Sequence, residues 1–229
     1  EELGDICWYL AEIATKHEID LTDALTKNLA KTQELFTNRE TAFDISSEPT
    51  ERFPTKGRFE FRLTEDRVNL TMDGEPVGNK LDSNAHEEDD YRFHDIFHIT
   101  LMVMLDWSPT FRKLLKRKRK TGAAPNTDRV EDGARSIFLE EGISALVFGQ
   151  NIQLEGRSLF ADKGNIPFSL LQNIKTITQG LEVRVRSVNA WKDAIEMAFS
   201  LFDSLTTHKG GAVIFDKLDR TLQFEQLAE

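Results

Sequence analysis

Glu2 and Asp5 stand three residues apart in a stretch whose apolar residues recur at helical spacing, so both carboxylates project from neighbouring turns on one side of a helix. Oxygen donors so placed suit a hard divalent cation: Mg²⁺ prefers carboxylate oxygens and water, and Mn²⁺ accepts the same ligands. On the following helix, Asn28 and Lys31 offer an amide and an ammonium that can contact a base or sugar and a phosphate. The same four residues also suit an ordinary solvated helix face. A second group lies further on. His94 and His98 are four apart on a face shared with Phe97, Leu101 and Leu105, while Glu131, Glu141 and Phe148 share a face of a later helix. Polar groups at such core edges need partners, and the economical pairing joins either histidine to Glu141 or Glu131. That pairing would make a buried network holding helices together, or a second metal or phosphate site. His94-Asp95-Ile96-Phe97-His98 also reads as a variant of the zinc-protease His-Glu-x-x-His, with the acid shortened by a methylene and no third ligand signalled.

Other charged motifs carry less. The run from Arg112 to Lys120 suits a helix C-terminus whose cations complement the macrodipole and stay solvated, with phosphate binding as the alternative. Arg184 and Arg186 are secondary phosphate-binding candidates. Lys209-Gly210-Gly211 lacks the spacing of a P-loop and reads as a helix stop.

The elements that must position these residues follow from periodicity. Leu3, Ile6, Cys7, Leu10, Ile13 and Ala14 form one helical stripe that needs a partner. Asp20 or Thr22 can cap a second helix running to Arg39. Alternation in Phe59–Leu63 and Val68–Met72 around a short polar break predicts a β-hairpin near 58–72. Helices are then expected at 89–106, 109–120, 128–155, 167–179 and 188–207, with a terminal hairpin from 212–215 and 221–224. The chain therefore divides into a helical segment, 1–45, and a larger, mostly helical domain, 46–229.

Composition narrows the function classes. The 229 residues carry 29 Lys+Arg against 39 Asp+Glu, a formal net charge of −10 that argues against general nucleic-acid binding. The longest apolar run, Ile99–Leu105 with Thr100 inside it, is far short of the roughly 20 residues that span a bilayer. A single cysteine, Cys7, excludes an internal disulfide, and a cytoplasmic setting is expected.

Glu1-Glu2-Leu3-Gly4-Asp5-Ile6-Cys7-Trp8-Tyr9-Leu10-Ala11, followed by Asn28-Leu29-Ala30-Lys31 and Arg39, resembles the MazG-type nucleotide pyrophosphohydrolases of the all-α NTP pyrophosphatase superfamily. Residues 89–98, 107–109, 116–119, 131–135 and 140–144 are similar to the C-terminal extension that follows such a segment in some bacterial proteins. The resemblance implies a mainly α fold, an all-α pyrophosphatase-like segment plus a larger helical domain with small β-hairpins. It implies Mg²⁺ at Glu2 and Asp5 as the catalytic metal ligands, Tyr9 lining a nucleotide pocket, and Asn28 and Lys31 holding a nucleoside triphosphate. The expected reaction is hydrolysis between the α- and β-phosphates to a monophosphate and pyrophosphate. That family adds an upstream Glu-Glu-x-x-Glu helix, which these 229 residues lack. Residues preceding Glu1 or another subunit would supply it, and a homodimer or higher oligomer is expected. The competing expectation is a non-enzymatic nucleotide-sensing or regulatory protein with a vestigial acidic pair.

Overall fold

The computed structural model describes residues 2–37, 41–45, 48–83, 85–120, 128–154 and 156–227, and of Lys31, Glu34 and Leu35 the backbone alone. Two helices come first, α1 (Glu2–Lys16) and α2 (Leu21–Phe36). Asp20 caps α2, its Oδ1 accepting from the Thr22 and Asp23 amides at 2.8 and 3.1 Å, which satisfies donors that a helix start otherwise leaves open. The apolar stripe of α1 is uncovered: Leu3 is 78% and Ile6 63% exposed, and Ala14 is the buried residue of the helix.

Strands β1 (Lys56–Thr64), β2 (Arg67–Met72) and β3 (Glu75–Pro76) follow, then α3 (Asp95–Leu105), α4 (Pro109–Leu114) and α5 (Ala134–Gln150). The short strands β4 (Gln153–Leu154) and β5 (Arg157–Ser158) pair with each other. The chain closes with α6 (Phe168–Ile177), α7 (Val188–Thr207), β6 (Gly210–Asp216) and β7 (Thr221–Glu225).

The mainly α expectation is overturned. Helices take 52% of the described residues, but β3, β2, β1, β6 and β7 form one five-stranded antiparallel sheet, in that order, and the fold is mixed α/β. The cause is the central strand β1, whose two edges both pair: Phe61 sits opposite Leu70 of β2 on one side and Gly211 of β6 on the other. Alternation marks a strand locally, and two separate hairpins and one continuous sheet share that signal. Gly210 opens β6 at φ +131°, where a Cβ would lie 2.6 Å from the Phe61 carbonyl oxygen; close backbone approach there requires glycine.

Residues alternate across the sheet with period two. Phe59, Phe61, Val213 and Phe215 are buried on one face, while Arg58, Glu60 and Arg62 form an ion-paired ladder on the other. Helix α3 is almost wholly buried and apolar apart from Asp95, His98 and Thr100, as expected of a helix enclosed on every side. It packs against α7, where the Phe97 ring lies 4.9 Å from Phe199 and 5.8 Å from Phe202. Phe59 stacks on Phe215 at 5.2 Å and meets Phe111 of α4 edge-on at 5.5 Å. Full burial of each such ring is worth ~1.5–3 kcal/mol, so these contacts tie sheet and helices into one core.

The basic run stays solvated at Lys113, Lys116 and Lys120 but not throughout. Helix α4 stops at Leu114, and Arg112 and Arg119 turn inward, each at most 2% exposed. The Arg112 guanidinium donates to Asp44 Oδ1 at 2.8 Å and lies 3.9 Å over the Phe53 ring. Arg119 grips Asp132 through Nε and Nη2 at 2.6–3.1 Å and reaches Glu182 at 2.6 Å. Arg186 is likewise no phosphate site: its Nε donates to the Leu105 carbonyl at 2.9 Å and Nη2 to the Thr41 carbonyl at 2.7 Å. Asp132 occupies a single 3-10 turn, Val130–Asp132, which is why α5 starts at Ala134 rather than near 128.

Among the described residues, no helix is long and apolar enough to cross a membrane.

Candidate functional site

His94 is the helix-initiating residue of α3, and His98 lies one turn into it, so both rings leave the same side. The facing helix α5 buries Ser136, Glu140, Ile143, Ser144 and Val147, which places Glu140 and Glu141 opposite the histidines. The Ser108-Pro109 start of α4 completes the wall. Ser108 Oγ accepts from the Phe111 amide at 3.0 Å and donates to Glu140 Oε1 at 2.6 Å, while the Thr110 amide donates to Glu140 Oε2 at 2.7 Å. Glu140 is fully buried and therefore fixed from three sides.

Each imidazole is oriented through Nδ1. His98 Nδ1 donates to Glu140 Oε1 at 2.9 Å, and His94 Nδ1 donates to the Tyr91 carbonyl at 2.8 Å, since a carbonyl can only accept. The Tyr91 ring stacks on His94 at 4.4 Å and 7°, holding the imidazole plane. Nε2 is the nitrogen that these bonds leave over on each ring. His98 Nε2 is 3.3 Å from Glu141 Oε2 but without the alignment of a hydrogen bond. Donor atoms of His94, His98 and Glu141 lie within 4.8 Å of one another. Beside them a cleft of about 140 Å³ opens between Gly78, Asn79, Asp95, Thr110, Lys113 and Glu141.

Electrostatics differ between the two histidines. Burial disfavours a charge on His98, but Glu140 and Glu141 outweigh it and push its pKa up to about 10. Burial holds His94 below its ordinary value, and the charge on His98 adds to that, so His94 is neutral at pH 7. Burial also acts against a charge on Glu141, yet the neighbouring His98, His94 and Thr110 keep its carboxyl below the usual range. Asp95 is pushed up by burial, and the Tyr91 phenol to about 12 for the same reason.

The structure thus brings His94, His98 and Glu141 together and leaves Glu131 out. Glu131 lies in the turn before α5, where its Oε2 accepts from the Glu182 amide at 3.0 Å. Glu2, Asp5 and Tyr9 lie on α1 and Asn28 on α2, all exposed. Among the described residues, no hydrogen bond or ion pair joins them; the Lys31 side chain falls outside the description. Glu140 is the residue that periodicity missed. Its stripe includes Ser136 and Ser144, so hydropathy does not mark it, although the spacing 136, 140, 143, 144, 147 is that of one helix face.

The profile of the MazG C-terminal domain matches residues 38–228, five-sixths of the chain. The chain belongs to the MazG C-terminal domain family. No curated protein and no solved structure matches it. The matched span of this MazG-family chain holds the sheet, α3 to α7 and the whole His94–His98–Glu141 cluster, whereas Glu2, Asp5, Tyr9, Asn28 and Lys31 precede it. Membership associates the chain with a MazG-like, nucleotide-related role.

Proposed function

We propose that this MazG-family chain acts in Mg²⁺-dependent hydrolysis of nucleoside triphosphates to a monophosphate and pyrophosphate, with Glu2 and Asp5 as the metal-holding pair. The observation that carries the reading is on α1. Two carboxylates one turn apart stand exposed, and among the described residues neither is engaged by a cation, beside an apolar stripe that nothing covers.

The donor set fits the ion. Mg²⁺ is usually held by one or two carboxylates, with water and substrate phosphates filling the remaining positions, and exposed side chains leave those positions free. When bound, Mg²⁺ neutralises the polyphosphate and acidifies water. Glu2 and Asp5 would hold the ion and orient or deprotonate the attacking water. Tyr9 offers a ring face to the base, Asn28 an amide to base or sugar, and Lys31 an ammonium to phosphate. Phosphate-rich substrates approach a chain of net charge −10 as their Mg²⁺ complexes, which lowers the repulsion.

Leu3, Ile6, Leu10 and Ile13 would bury their stripe against a second copy, making a homodimer or higher oligomer the working state. The test is to incubate the full-length protein with a panel of ribo- and deoxyribonucleoside triphosphates and Mg²⁺ and to follow pyrophosphate, with Asp5→Asn alongside. Loss of release in the variant supports the reading; equal release in both removes Asp5 from it.

A further inference from the structure

The geometry points to a separate metal centre in the body of the fold, where His94 Nε2, His98 Nε2 and a carboxylate oxygen of Glu141 bind one borderline transition-metal dication, Zn²⁺ foremost. It is independent of the α1 carboxylates and lies wholly within the span that defines the family.

Convergence is the first support. Three donors from two helices lie within 4.8 Å of one another, and the His98–Glu141 separation of 3.3 Å equals the roughly 3.3 Å between two ligands of a tetrahedral ion with bonds of about 2.05 Å. Pre-orientation is the second. Metal-binding histidines commonly donate their other ring nitrogen to a carboxylate or carbonyl, which fixes the tautomer and aims the free nitrogen. Here Glu140 does this for His98, whose Nε2 proton the incoming dication displaces to solvent, and the Tyr91 carbonyl does it for His94; Glu140 is itself held by Ser108 and the Thr110 amide.

The third support is an unmet need. His98 is fully buried, yet its Nε2 has no aligned hydrogen-bond partner, whereas the large majority of buried polar atoms have one. A cation between Nε2 and Glu141 meets that need.

Two imidazoles and one carboxylate select Zn²⁺, Fe²⁺ or Mn²⁺ over Mg²⁺. Three protein ligands are also the number found in catalytic zinc sites that keep a position for water or substrate. In this fold that position faces the cleft of about 140 Å³, into which Lys113, Asn79 and Asp95 also face. A small anionic ligand would meet the ion on one side and the Lys113 ammonium on the other. The rival arrangement is a metal-free ion pair of His98 with both glutamates, and it makes the opposite prediction for metal uptake.

The experiment uses the full-length protein, free of any affinity tag, stripped with chelator and titrated with Zn²⁺ or Co²⁺. Metal per chain is measured by elemental analysis and affinity by competition with a chromophoric chelator. We expect one equivalent of Zn²⁺ per chain and visible d–d absorption from bound Co²⁺. The melting temperature should rise by roughly 5–11 °C at a hundredfold excess over Kd. Glu141→Gln, at a side chain 43% exposed and therefore tolerant of change, and His94→Ala should each weaken binding by at least about tenfold while circular dichroism stays native. Asp5→Asn should bind Zn²⁺ as the parent does, which separates this centre from the α1 site. No stoichiometric uptake by the folded parent, or uptake unchanged in both Glu141→Gln and His94→Ala, overturns the proposal in favour of the ion-pair network.

Discussion

Asp132→Asn probes the arginine network that holds the site-bearing helices in place. Asp132 is completely buried, and its two oxygens receive the Arg119 amide at 2.6 Å and the Arg119 guanidinium at 2.6–3.1 Å, with Arg112 Nε 3.7 Å away. The substitution removes the charge facing two buried guanidinium groups and turns an amide NH₂ toward N–H donors. Arg119 keeps Glu182 and Arg112 keeps Asp44, so the damage is that of one lost partner. Breaking a buried pair in this way costs about 3–5 kcal/mol. For a chain of 229 residues each kcal/mol moves Tm by about 2–4 °C, so the variant should melt roughly 6–20 °C lower. Calorimetry at pH 7 measures it. Raising salt from 0.15 to 0.5 M should leave the difference unchanged, since buried pairs are poorly screened. The double variant Arg119→Met/Asp132→Leu should recover little of the loss, because Arg119 also pairs with Glu182, whose carboxylate would then be stranded. A Tm within a degree of the parent, or a loss that salt abolishes, would refute the reasoning.

Asp44 is pulled up by burial but held lower by Arg112 and Lys217, so its carboxyl titrates below the ordinary 3.8. A depressed folded-state value stabilises above about pH 3.9 and is lost as pH falls through the folded value. The stability gap between the parent and Asp44→Asn, followed by urea unfolding, should be full at pH 7 and shrink below about pH 4. Gly210→Ala places a methyl against the Phe61 carbonyl at a strained φ and should cost about 1–3 kcal/mol; an unchanged Tm would show that β1 and β6 can separate there. Ile6→Lys/Leu10→Lys should convert the proposed homodimer or higher oligomer to monomer in light scattering without lowering the melting of the α3–α7 core, and an unaltered oligomeric mass would exclude α1 as the contact face.

Legibility in the sequence was uneven, for identifiable reasons. The stripe of α1 and the Asp20 cap are local features, and the described structure places α1 and α2 at those residues. The sheet was not legible because the pairing of Phe59 with Val213 joins strands far apart in the chain, and alternation carries no register. Helix α4 ran too long in the sequence reading because basic residues at 112–120 look solvated, whereas Arg112 and Arg119 find Asp44, Asp132 and Glu182 inside. The four-residue spacing of His94 and His98 put both rings on one face. The choice between Glu131 and Glu141 needed the rotation of α5, which its serine-rich inner stripe obscures.

The central functional claim is tested most directly by the products formed from a nucleoside triphosphate in the presence of Mg²⁺, resolved by phosphorus NMR. Monophosphate and pyrophosphate are expected in equal amounts from the full-length protein, with turnover reduced at least about a hundredfold in Asp5→Asn. Diphosphate with inorganic phosphate, or product formation undiminished in Asp5→Asn, would contradict the claim.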